Sequence, residues 1–370
     1  MRSLPLHARH QARGATFVER AGWAAPAHYG DPVAEHLAVR RGAGLADLSA
    51  RGKLWLSGED RQSFLHSLLS NDIQGLHPGQ GTYATLLTDK GKMLADLRVY
   101  HLGDRLLLDL EPELTARMVE ILNGYIIADD VLVEDATEAL ALLSVHGPAA
   151  RELLGKLLTD LPSPEPHRNT RNRISGQDVI AVRGDRTGEE GYDLYVPVSG
   201  AAALWEALIE VGAPRGLRPV GEAALESLRI EAGLPRYGAD MTEETIPIEA
   251  GLEARAISYT KGCYIGQEVI ARIKARGHVN RHLVGLLLRG AAVPTPGSPI
   301  LAGERQVGMV TSSAYSPVLG CAIALGYVRA EAARPGTTVT VREGQEMLVG
   351  AVAPLPFPPG VGATASQEPR

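Results

Sequence analysis

A change of hydrophobic period near His278 constrains this chain more than any other feature. Upstream of it, apolar residues recur at both helical and strand spacing; downstream, helical spacing stops. Five short apolar runs follow (283–288, 307–311, 322–328, 338–341 and 347–352), separated by glycine and proline turns. That is the pattern of a small all-β sandwich or barrel. A chain that switches period in this way folds as a mixed α+β part followed by an all-β part, each burying its own apolar face. Its 370 residues leave room for two or three domains.

The upstream part divides in two. Residues 54–56 form a strand, and Ser57-Gly58-Glu59-Asp60 opens a helix carrying Phe64, Leu65, Leu68 and Leu69 on one face. Strands 82–88 and 93–102 are joined through Asp89-Lys90-Gly91-Lys92, whose glycine suits a turn with positive φ. A strand at 106–110, a helix from Pro112 and a strand at 131–133 complete a ferredoxin-like lobe. The theme recurs with a strand at 140–145, a helix at 148–158, strands at 179–182 and 192–196, and a helix at 200–211. Between them the proline- and arginine-rich stretch 161–173 reads as a loop, and 21–32 as turn-rich. The expected divisions are an N-terminal segment packing on the lobes (1–50), two α+β lobes (51–136 and 137–278), a β-barrel (279–354) and a tail (355–370). The tail's proline, glycine and alanine content predicts disorder.

Charge and cysteine content narrow the function. A net charge of −6 argues against nucleic acid and anionic membranes, both of which attract a basic surface. Two cysteines, Cys263 and Cys321, make no disulfide framework and no C-x-x-C pair, so a reducing cytoplasm is expected. No apolar run has signal-peptide or membrane-spanning length. His278 and His282 lack a third ligand nearby, so no metal site is expected, and Gly79-Gln80-Gly81 lacks the rest of a dinucleotide loop.

One short stretch concentrates chemistry: residues 261–272, K-G-C-Y-I-G-Q-E-V-I-A-R. Gly262 and Gly266 let the chain bend sharply beside a ligand or another backbone. Lys261 lies next but one to Cys263, and its ammonium favours the thiolate where the two side chains converge. Cys321, in an apolar run, reads as core.

The run K-G-C-Y-I-G-Q-E resembles the signature of YgfZ-type folate-binding proteins, relatives of the aminomethyltransferase (T-protein) of the glycine cleavage system. T-proteins are similar here but usually carry an acid at the position of Cys263 and an arginine at that of Gln267. The segment with Trp23, Pro26, Tyr29 and Gly30 resembles the T-protein N-terminus, and the likeness runs along nearly the whole chain. It implies two α+β lobes and a small β-barrel in a cloverleaf around a central folate channel.

A tetrahydrofolate ligand offers a pterin edge with adjacent N–H donors, bridging nitrogens that change protonation, and an anionic tail. By resemblance, Glu189 in R-T-G-E-E-G-Y-D faces the pterin edge, with Glu190 as the neighbouring alternative. Alternation puts Leu94, Asp96 and Arg98 on one strand face and Ala95, Leu97 and Val99 on the other. T-proteins commonly have two aspartates at 95 and 96, the catalytic one acting on the folate amines; this chain keeps Asp96 and has Ala95. Pairing with Arg98 is the structural alternative for Asp96. Tyr83 corresponds to a tyrosine of the same channel, and Arg229 has a pocket role or pairs with Glu226 one turn earlier. Where T-proteins continue Ser-His-Met, this chain reads Ser49-Ala50-Arg51.

Two readings follow. In the leading one the chain is a tetrahydrofolate-binding protein that supports assembly or repair of iron–sulfur proteins, with Cys263 and Lys261 acting at the channel rim. In the alternative it is an aminomethyltransferase that moves a one-carbon unit from a lipoyl carrier protein to tetrahydrofolate, through Asp96. A third, blander option is a relative that has lost folate and only binds proteins.

Overall fold

The computed structural model describes residues 1–358. The first lobe is a five-stranded sheet in the order Gly81–Leu87, Met93–His101, Leu106–Leu110, Gly52–Ser57, Leu132–Asp135. That is one strand more than a ferredoxin-like unit holds. Helices Arg61–Leu68 and Thr115–Tyr125 cover one face, burying Leu54, Leu56, Phe64, Leu65, Ala95, Leu97, Val99 and Met118 together. Strand Met93–His101 therefore turns Asp96, Arg98 and Tyr100 to the opposite face, as strand alternation requires. That opposite face meets the second lobe, where Trp55, Tyr100 and Leu107 pack against Leu142, Val182 and Tyr195.

The second lobe is a six-stranded sheet in the order Asn169–Ile174, Gln177–Gly184, Gly191–Pro197, Leu140–His146, Ala43–Asp47, Leu217–Pro219. Strand Ala43–Asp47 pairs antiparallel with Leu140–His146, Asp47 facing Leu143. A piece of the N-terminal segment thus belongs to the second sheet, and the first lobe is inserted between two of that sheet's neighbouring strands. The ends of the insertion lie side by side, Leu54 paired with Asp135.

Two stretches without strand-like composition form strands. Trp23–His28, expected as turns, is the middle strand of a three-stranded sheet; its alanines lie flat against the body, and Pro26 sits beside a register shift where its missing N–H is tolerated. Asn169–Ile174, expected as loop, is an edge strand paired only with Gln177–Gly184. An edge strand with polar side chains guards against pairing with other chains, and that leaves no apolar signature.

The third part is a closed barrel in the order Arg281–Leu288, Cys321–Arg329, Arg305–Ser316, Pro299–Ala302, Thr338–Glu343, Glu346–Ala353. The expected α+β architecture with a C-terminal β-barrel is what the chain adopts. Cys321 is buried in the cluster that joins the barrel to Ile230. The tail expectation is corrected at its start: Phe357 is buried, and its N–H donates to the Glu231 carbonyl at 3.0 Å. An added Cβ on Gly285 would lie 2.8 Å from the Phe357 ring, so only hydrogen there leaves the ring its place. Residues 359–370 lie outside the described residues.

Helix Glu222–Glu231 runs through the centre. Ala224 and Leu228 join the interlobe core, while Ile230 joins the barrel-side cluster. No helix among the described residues is long and apolar enough to cross a membrane.

Candidate active site

Between the lobes and the central helix lies a cavity of about 130 Å³. Strands Gly81–Leu87 and Met93–His101 supply Tyr83 and Asp96 to its wall, and the central helix supplies Glu222, Leu225, Glu226 and Arg229. The last four stand at i, i+3, i+4 and i+7, one helical face.

Asp96 is 8% exposed. The Tyr83 hydroxyl donates to its Oδ2 at 2.7 Å, and its Oδ1 has no partner. Burial pushes the Asp96 carboxyl up and nearby Glu111 adds to this; the Tyr83 hydrogen bond, Arg98 and Arg51 oppose it. Arg98 does not pair with Asp96. It bonds Asp185 at 3.0 and 3.2 Å, so Asp96 has no direct arginine partner. Burial also raises the Tyr83 phenol, and the Arg98 and Arg255 guanidinium groups lie 5.6 and 5.4 Å from its ring centre.

A lattice of ion pairs stiffens the surrounding walls. Arg51 reaches Asp109 at 2.6 Å and Glu111 at 2.5 Å; Arg20 reaches Glu111 at 2.6 Å; Arg186 joins Asp109 to Asp193. Burial alone would raise the Asp109 carboxyl, but Arg186, Arg51 and Arg98 outweigh it and hold Asp109 well below the ordinary carboxylate range. Seven arginines and five carboxylates line the cavity. Its surplus of cationic groups suits a ligand with an anionic tail.

Both departures from the T-protein pattern have a definite place. Ala95 is buried in the helix-covered core on the other face of its strand, so the missing acid is not one that would face the cavity. Arg51 does line the cavity, but its guanidinium is engaged by Asp109 and Glu111. Arg229 also lines it while bonding Glu226, Asp240, the Leu234 carbonyl and Ser312. Its helix pair and its wall position coexist.

The structure brings Tyr83, Asp96 and Arg229 to one cavity and leaves Glu189, Lys261 and Cys263 outside its lining. Glu189 lies in a neighbouring pocket, bonded by Arg40 at 2.7 Å; Leu234 and Arg255 line both spaces. Glu190 accepts from the Tyr192 hydroxyl at 2.6 Å. The Lys261 ammonium donates to the His66 and Leu69 carbonyls at the end of helix Arg61–Leu68, and the Tyr264 ring lies 4.9 Å away. Burial brings Lys261 down to about 8. Cys263 is exposed.

Sequence reasoning missed Glu222, Glu111, Arg20, Arg236 and Arg255 as cavity residues. The first of these had a readable signal, the charged stripe on residues 222–229 of the central helix. The others come from distant segments that only the fold brings together.

These parts define the class: a three-part protein of two α+β lobes and a barrel, with a ligand cavity where the lobes meet the central helix. The GCVT N-terminal domain matches residues 6–261, and the Glycine cleavage T-protein C-terminal barrel domain matches residues 281–357. The chain belongs to the glycine cleavage T-protein family.

An aminomethyltransferase of Streptomyces avermitilis is 36% identical over 96% of this chain and 97% of its own length. One of Saccharopolyspora erythraea is 37% identical over 96% of this chain and 98% of its own. The crystal structure of the glycine cleavage system aminomethyltransferase T from Bartonella henselae superposes with a TM-score of 0.88, at 29% identity, over 96% of this chain and 98% of that one.

These relatives correct the expectation of a YgfZ-type protein that supports iron–sulfur protein assembly. Full-length kin at this identity carry the aminomethyltransferase name. The thiol on which that expectation turned lies on the surface and does not line the Asp96 cavity.

Proposed function

We propose that this protein is an aminomethyltransferase: it moves a one-carbon unit from an aminomethyl group on a lipoyl carrier protein to tetrahydrofolate. The observation that carries the reading is the buried Asp96 carboxylate, fixed through one oxygen by Tyr83 and unpaired at the other, in the wall of the interlobe cavity of a chain with full-length aminomethyltransferase relatives.

The chemistry asks for such a group. The carbon leaves its sulfur and its amino nitrogen and forms bonds to two folate nitrogens. Each folate nitrogen gives up a proton; one proton ends on the released thiol, the other on ammonia. Asp96 Oδ1 is an acceptor that a folate N–H can satisfy, and an unpaired acceptor in a buried wall fits a ligand donor. Burial raises its pKa above the ordinary carboxylate range, the direction that makes it a better proton acceptor. Tyr83 holds the second oxygen and so fixes the direction of the first. The arginine-rich lining receives the anionic glutamate tail.

The purified full chain, given aminomethylated lipoyl carrier and tetrahydrofolate, is expected to release ammonia. Asp96→Asn is expected to lower kcat by about 10²–10⁴-fold, the usual range for a lost general acid–base group. No ammonia from the unaltered protein overturns the reading.

A further inference from the structure

The barrel carries a cavity of its own. Its closed sheet points Val284, Leu286 and Val328 inward. Alternation therefore turns Arg281, Tyr327 and Arg329 outward on the neighbouring strands Arg281–Leu288 and Cys321–Arg329. Beside them, strand Arg305–Ser316 breaks register between Val310 and Ser312. The extra residue, Thr311, donates its hydroxyl to Asp240 at 2.5 Å and so holds the 239–245 turn against the barrel. Between turn and strands lies a cavity of about 530 Å³, and none of its lining residues also lines the Asp96 cavity. We propose that this cavity is a second ligand site, built for the carboxylate of a small organic acid.

Its donors lack acceptors. Tyr327 is 9% exposed, and its hydroxyl has no hydrogen-bond partner. The neighbouring Thr245 hydroxyl already accepts from the Thr242 N–H at 3.0 Å. Burial pushes the Tyr327 phenol up, against the opposing effects of Thr245 and Arg281, so it keeps its proton and stays a donor. Arg281 lies over the Tyr327 ring, 4.7 Å from its centre, and stands directly opposite Arg329 in the strand register. Like charges so placed repel. Glu249 offsets Arg281 at 2.9 Å, but Arg329 has no ion-pair partner among the described residues, and Glu331 is taken by Arg305.

The acid in this lining, Asp240, is already saturated. One oxygen accepts from Arg229 and the Arg236 N–H, and the other from Thr311. A buried hydroxyl without an acceptor is costly, so one that faces a cavity is matched to an acceptor that arrives with the ligand. A carboxylate supplies that acceptor and also the charge that Arg329 lacks. Ala239 and Met309 add an apolar wall, which favours an organic acid over a bare inorganic anion.

The test is titration calorimetry on the full chain. Benzoate is the probe, benzamide its uncharged counterpart and inorganic phosphate the bare anion. Benzoate is expected to bind at least tenfold more tightly than either. Tyr327→Phe is expected to weaken benzoate about tenfold, as for a lost hydrogen bond to a charged group, and Arg329→Gln at least threefold. The Tyr327 hydroxyl bonds nothing within the protein, so the unfolding midpoint of Tyr327→Phe should not fall. Saturating 5-formyltetrahydrofolate should leave benzoate affinity within twofold.

Absence of benzoate binding, or equal binding of benzamide, overturns the inference; so does unchanged benzoate affinity in Tyr327→Phe. Phosphate binding as tight as that of benzoate overturns the organic-acid class. Displacement of benzoate by 5-formyltetrahydrofolate assigns the probe to the folate cavity and overturns a separate site. None of these results bears on ammonia release, so this inference and the aminomethyltransferase reading fail independently.

Discussion

A single strand shows how a residue becomes a chemical group. In Met93–His101, alternation sends Ala95 into the core and Asp96 to the interlobe face, and that much is readable from the sequence. The hydrogen bond from Tyr83 is not readable, because it depends on the register of the neighbouring strand, where Thr85 pairs with Asp96 and Tyr83 with Arg98. Nor is the removal of Arg98 by Asp185, 87 residues away along the chain. The Tyr83 bond lowers the Asp96 pKa against the dominant effect of burial. Tyr83→Phe deletes that opposing contribution, so the carboxyl rises further and the active carboxylate forms only at higher pH. The acid limb of the kcat/KM profile is therefore expected to move upward. A limb that stays put, or moves down, separates Tyr83 from Asp96. Cys263→Ala, by contrast, is expected to leave ammonia release within about twofold, since the exposed thiol does not line the cavity. A collapse of activity would return that thiol to the chemistry.

At the scale of elements, the 261–272 stretch does structural work that its residue types left open. Gly266 sits at φ 83° and caps helix Gln267–Arg276. An added Cβ there would lie 2.5 Å from the Thr88 carbonyl oxygen, so the bend lies beside another backbone rather than a ligand. Gly266→Ala combines an unfavourable φ with that clash and is expected to cost about 1–3 kcal/mol in denaturant unfolding. Lys261, whose ammonium meets the exposed carbonyls ending helix Arg61–Leu68, ties the same turn to the first lobe. The central helix is the converse case. Its stripe of Glu222, Leu225, Glu226 and Arg229 is visible in the sequence, but nothing in the sequence says that this face lines a cavity.

At the scale of the whole molecule, the period change near His278 was legible, because barrel strands need short alternating runs and helices cannot use them. What was not legible is how the barrel is fastened. Arg229 joins the central helix to Asp240 and to Ser312 of barrel strand Arg305–Ser316. Asp240 is 2% exposed. Arg229→Met leaves that buried charge without its arginine and is expected to cost about 3–5 kcal/mol, as for other broken buried pairs. In calorimetry the barrel should then melt apart from the lobes. A loss below about 1 kcal/mol, with a single unchanged transition, would show that the barrel is held by its apolar contacts alone.

The insertion of the first lobe has a consequence for birth on the ribosome. Strand Ala43–Asp47 emerges early, yet its antiparallel neighbour Leu140–His146 is translated only after 92 intervening residues, 48 to 139. At ribosomal speeds that is a delay on the order of 5–20 s. During this delay the newborn strand waits while a complete five-stranded sheet forms downstream. Because that sheet begins and ends on paired neighbours, Leu54 beside Asp135, a gene with it cut out and a few codons spliced across the gap should still let the waiting strand find its place.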